Sequence, residues 1–188
     1  MKIINFIKNN ANKNEVHESV IEFGLEMIKT IIVEMVLAIG IAVVMHELWK
    51  AMLFLLILMP LRQYAGGFHI KSKMGCAVLS TIIYVSEIYV IKYVNICALA
   101  QIIGIFLSGV IIIIMAPVEN YNNPLDATEL LYYKKKTREM LVVALLIFMV
   151  LFIINKRDWS MLVVMAVELV AILEIMGYIS NKIDKRRY

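Results

Sequence analysis

Charge is scarce in this chain of 188 residues: Asp, Glu, Lys and Arg make up 18% of it and 62% is apolar. A soluble domain is about 25% charged and about half apolar, so water as the only solvent is excluded. Cysteine is scarce as well, and two thiols, Cys76 and Cys97, exclude a disulfide framework. His69 and Cys76 lie near each other, but His17, His46 and Cys97 fall in other segments, so no metal site and no cofactor is expected. Three prolines and eight glycines form no linker, and no repeat or low-complexity stretch divides the chain, which reads as one domain over 1–188. Residues 1–14 carry Lys2, Lys8 and Lys13 but lack the apolar core and small-residue cleavage site of a signal peptide. Residues 1–25 are therefore expected to be a retained cytoplasmic or interfacial segment, with Ile3, Ile4, Phe6 and Ile7 either resting on the membrane surface or part of a frayed tail.

What is present is hydrophobic length. The mean hydropathy is +0.81, and the apolar residues fall in blocks close to the ~20 residues that carry a helix across a bilayer. Continuous apolar runs without alternation indicate helices, because each backbone amide in lipid needs a partner in its own segment. The reading is an all-α integral membrane bundle of six transmembrane helices, at about 26–45, 50–61, 76–90, 96–115, 140–154 and 160–179. The second span closes at Pro60, and residues 116–139 form the longest polar connection. With the N-terminus inside, fourteen Lys and Arg fall on the cytoplasmic side, against Lys50, Lys92, Lys156 and Arg157 outside. Both termini are thus expected on the cytoplasmic side, with the chain multi-pass in the membrane. The net charge of +4 is a topology signal with some affinity for anionic lipid, and not a sign of nucleic acid.

Between the second and third spans lies a polar island, residues 62–76, that holds His69, Cys76, three basic side chains and the Gly66-Gly67 pair. A thiolate is the nucleophilic form of cysteine, and imidazole, cationic neighbours and the free amides at a helix start all favour it. If Ser72 caps the third span, Cys76 sits in its first turn. Residues seven apart on a straight helix are about 10 Å apart, so His69 must approach Cys76 through a bend that the glycines permit. A re-entrant segment covering a vestibule would supply it. The alternative from the residues alone is a small buried thiol and a solvated histidine.

Arg62, the run Ala65-Gly66-Gly67-Phe68-His69 and the later Cys76 closely resemble the signature of the accessory gene regulator B (AgrB) family of bacterial membrane cysteine peptidases. Phe23-Gly24-Leu25-Glu26, Ala116-Pro117 and Asn123-Pro124-Leu125 match as well, so the resemblance covers nearly the whole chain. Gln63 departs from it, standing where relatives often carry a second basic residue beside Arg62.

The resemblance implies a quorum-sensing function. The substrate is an AgrD-like propeptide with a membrane-bound leader, a signal segment and an acidic C-terminal tail. Cys76 attacks at the junction of signal and tail while His69 takes the thiol proton, and the signal segment, held as a thioester, closes to a thiolactone or lactone. Glu26 is the candidate for orienting His69; Glu34, Glu87, Glu168 and Glu174 lie within spans. Arg62, Gly67, Lys134, Lys135, Lys136 and Arg138 form the expected substrate-binding set, although the basic run also fits positive-inside bias and Arg62 also fits a span end. The family allows a homodimer. The rival reading is a small transporter that exports a peptide.

Overall fold

The computed structural model describes residues 29, 32–33, 35–68, 73–94, 96–118 and 126–184. Among them the chain forms six helices and no strand: α1 (Met35–Val44), α2 (Leu48–Ala65), α3 (Lys73–Tyr93), α4 (Ala98–Met115), α5 (Ala127–Ile153) and α6 (Arg157–Asp184). Three are long and apolar enough to cross a membrane: α2, α4 and Arg157–Ile183 of α6. The large side chains left outside, such as Phe106, Ile114, Leu146 and Ile153, are exposed by more than half, an apolar surface that fits a membrane protein.

The bundle is arranged around α6. Its apolar window is 61% buried, against 28% for α2 and for α4, so it buries the largest share of its surface inside the bundle. Helices α2, α4 and α5 pack on it directly, α2 also packs on α5, and α3 touches it more lightly. Helix–helix contact in lipid rests on close packing and polar bonds rather than on escape from water. One such bond joins α4 to the start of α6, where buried Ser160 donates to Gln101 Oε1 at 2.7 Å. Gly104, further along α4, faces Val164 and Glu168, further along α6, so α4 and α6 run parallel.

Several boundaries differ from the sequence expectation, and two of them change how a segment reads. Pro60 does not close its helix: α2 continues through it to Ala65. A proline removes one N–H donor, and burial of Leu61 and Ala65 against the neighbours holds the last turn regardless. The polar connection is also shorter than expected, because residues 127–139 are the first half of α5. Glu129 there accepts from the Asp126 N–H at 3.1 Å in a capping box, and Lys136 pairs with Glu139 at 2.8 Å one turn apart.

Candidate active site

The chain leaves α2 through Gly66 and Gly67, at φ +74° and +110°, values that L side chains rarely adopt. Residues 66–68 form a strap clamped from both sides. Val118, just past α4, donates its N–H to Ala65 O at 2.9 Å and accepts from the Gly67 N–H at 3.3 Å. On the other side the Phe68 N–H donates to Leu173 O of α6 at 2.8 Å. From below, the Arg62 guanidinium donates to the carbonyls of Gly66 and Phe68. Arg62, expected in the substrate-binding set or as a span end, bonds the backbone of residues 66–68, and Gly67 is the point where that backbone passes Arg62 and Leu173.

The close approach depends on a second glycine. A Cβ on Gly177, one turn beyond Leu173, would lie 2.6–2.8 Å from backbone atoms of Gly67 and Phe68. Glu174 lies on the same stretch of α6, with no exposed surface and Arg62 as an electrostatic neighbour. Of the other carboxylates placed within spans, Glu87 and Glu168 act on one another between α3 and α6. Among the described residues no three His, Cys, Asp or Glu side chains gather as metal ligands would.

Helix α3 begins at Lys73, which makes Cys76 its fourth residue, at the end that offers free amides. His69, Ser72 and Glu26 lie outside the described residues. The basic run is on α5, beside the end of α2: the Tyr64 ring lies 6.1 Å from that of Tyr133 and 6.4 Å from that of Tyr132. Lys134, Lys135 and Arg138 line an open depression of about 670 Å³ together with Leu131, Glu139, Val142 and Val143. Lys136 is instead tied to Glu139, whose carboxyl that hydrogen bond holds below its usual range. Thr137 points inward and donates to Tyr133 O at 2.9 Å.

Val118, Leu173, Glu174 and Gly177 were not assigned to the site from sequence. A lone glycine in an apolar helix, one turn after Leu173, was the available signal for Gly177; nothing local marks which carbonyl would accept Phe68.

No solved structure matches the chain. A putative AgrB-like protein of Lactiplantibacillus plantarum is 24% identical over 151 residues, 80% of this chain and 74% of that protein. The family model described as accessory gene regulator B matches residues 1–174, and so the chain belongs to the accessory gene regulator B family.

Proposed function

We propose that this protein is a membrane cysteine endopeptidase that removes the C-terminal tail of an autoinducing-peptide precursor through an acyl-enzyme on Cys76 and promotes closure of a thiolactone or lactone ring. Family membership supports a part in accessory-gene-regulator, quorum-sensing peptide processing, with an AgrD-like propeptide as the general substrate. The observation that carries the finer reading is the clamp on residues 66–68. It fixes the backbone leading into His69, and α3 carries Cys76 in its opening turn. Six membrane crossings, with both termini and the site on the cytoplasmic side, belong to this proposal.

In the reaction, His69 takes the Cys76 thiol proton as sulfur attacks the scissile carbonyl, then gives it to the leaving amine as the tail departs. The signal segment remains as a thioester, which an internal Cys or Ser of the propeptide attacks, releasing Cys76. Making a thioester from an amide is uphill, so the site must hold the acyl group and keep water from it. Exchange onto the internal nucleophile is nearly balanced, and ring closure depends on holding the two ends together. Intact mass of protein purified after co-expression with its propeptide should show an adduct equal to leader plus signal segment. Neutral hydroxylamine should remove it, and it should map to Cys76. Cleavage that continues after Cys76 has been selectively alkylated would overturn this assignment.

The acidic tail would lie in the depression of α5. Replacing Lys134, Lys135 and Arg138 together by Gln should raise KM on the order of 10-fold at low salt and flatten its salt dependence, because exposed charges act through a screened field. Lys136→Gln should change KM by less than about 2-fold, since its charge is already turned to Glu139. Equal effects from both variants would leave only a topological role for the run.

A further inference from the structure

Helix α5 is 27 residues long, about 40 Å at 1.5 Å per residue, and outreaches a hydrocarbon core of ~30 Å. Its apolar stretch starts at Met140, so the basic run stands where the helix leaves that core. A second mark gives the same level. The rings of Tyr64, Tyr132 and Tyr133 meet there, at the end of α2, and tyrosine collects at the boundary of membrane and water.

The open depression on this stretch follows one stripe of the helix, because Leu131, Lys134 and Lys135, Arg138 and Val142 recur every three or four residues. Leu131 stands at its outer rim, and below it the two halves differ in kind. Lys134, Lys135 and Arg138 form one, and Val142 and Val143, exposed by 54% and 49%, form the other. Arg138 and Val142 are one turn apart, about 6 Å along the axis, and one headgroup layer is about 5–7 Å thick. Cations at headgroup level above an apolar surface one layer deeper match the phosphate and the acyl chains of a single phospholipid. The charges are open to it. Glu139 is the acid that lines the depression, and Lys136 holds its carboxylate at 2.8 Å, with a weaker pull from Lys135. Among the described residues Lys134 and Arg138 enter no ion pair.

We propose that the α5 depression binds one anionic phospholipid, its headgroup phosphate on Lys134, Lys135 and Arg138 and its acyl chains against Val142 and Val143. The site stands whether or not the chain cuts a peptide. A zwitterionic lipid carries its phosphate beside a cation of its own, so the three side chains select the anionic headgroup through a field that salt screens. The acidic tail is assigned to the same cations, so a bound lipid has to leave before the tail enters. The anionic fraction of the bilayer thus competes with the substrate.

The test puts a reporter on the full chain, Val143→Trp with Trp49 and Trp159 replaced by Phe. The vesicles are phosphatidylcholine, with brominated phosphatidylglycerol or brominated phosphatidylcholine as quencher. Ile114→Trp in the same background is the control: Ile114 is 75% exposed, and the last turn of α4 holds no basic residue. It lies at the same membrane face, because Val118, just past α4, bonds Ala65 at the end of α2. At low salt the anionic quencher should act at position 143 with an affinity about 10-fold above that of the zwitterionic one, and at position 114 both should act about equally. Lys134→Gln, Lys135→Gln and Arg138→Gln together should abolish the preference at 143, and Lys136→Gln should keep it within about 2-fold. A second measurement needs no tryptophan variant. In native mass spectrometry after exposure to an equal mixture of the two lipids, the unaltered chain should retain phosphatidylglycerol, and the triple variant about one molecule fewer. The same preference at 114 as at 143 shows a general surface potential and overturns the site, and so does a preference or a retained lipid that survives loss of the three cations. Equal action of the two quenchers at 143, altered only by an added acidic peptide, assigns the cations to peptide alone and overturns the lipid. None of these readings uses cleavage, so they hold or fail apart from the peptidase reading.

Discussion

Cys76→Ala is expected to lower propeptide cleavage on the order of 10⁴-fold or more, because a reaction that runs through a covalent intermediate loses its first step with the nucleophile. The other thiol cannot substitute. Cys97 is the N-cap of α4, one turn from Gln101, which bonds Ser160 near the start of α6. The strap meets α6 at Leu173, thirteen residues on, or about 20 Å along the helix at 1.5 Å per residue. The measurement is propeptide length over time, by mass spectrometry, in cells carrying each variant. Uncut propeptide should accumulate with Cys76→Ala, and Cys76→Ser should keep a small residue of activity through a weaker nucleophile. Transport predicts the opposite pattern, with normal cutting and blocked export, and that result would replace the peptidase reading with the transporter.

Gly177→Ala is expected to cost about 10²-fold in cleavage although the residue touches no reacting atom. An added Cβ would stand 2.6–2.8 Å from Gly67 and Phe68, and the atoms it meets are backbone, which cannot swing aside as a side chain would. The strap must lift from α6, stretching the bond from the Phe68 N–H to Leu173 O, and a shift of about 1 Å at a catalytic group is worth about 10²-fold. Overpacking also lowers stability by about 1–3 kcal/mol, so the comparison is made at matched folded protein. Gly109→Ala is the control: nothing lies within 4 Å of a Cβ built there, and it should cut like wild type. Equal rates for all three proteins would mean that the strap has no part in positioning His69.

Much of the chain was legible because its signals are local. Apolar runs bounded by polar turns gave helices close to where they stand, and the turns between α1 and α2 and between α5 and α6 close on His46 and Asn155, both at positive φ. The spacing of Gly67, His69 and Cys76 marked the island, and α3 begins at Lys73, three residues before Cys76. Pro60 and the polar first half of α5 misled for one reason: each was judged by residue type, while packing of Leu61 and Ala65 in one case and the Asp126–Glu129 cap in the other extended the helix.

The sequence by itself determined that the chain is apolar and helical, that its family is that of the accessory gene regulator B proteins, and which stretch carries a thiol and an imidazole seven residues apart. Periodicity, charge and short-range spacing are enough for that. Only the tertiary structure decided that α6 is the centre of the bundle, that Arg62 turns to the carbonyls of Gly66 and Phe68, and that Val118, Leu173 and Gly177 grip the strap while Glu174 is buried beside it. In a chain apolar almost everywhere, hydrophobicity does not say which face of a helix meets a neighbour and which meets lipid. The contacts that build the site are backbone hydrogen bonds and bare glycine surfaces between segments more than fifty residues apart, and no local pattern records them.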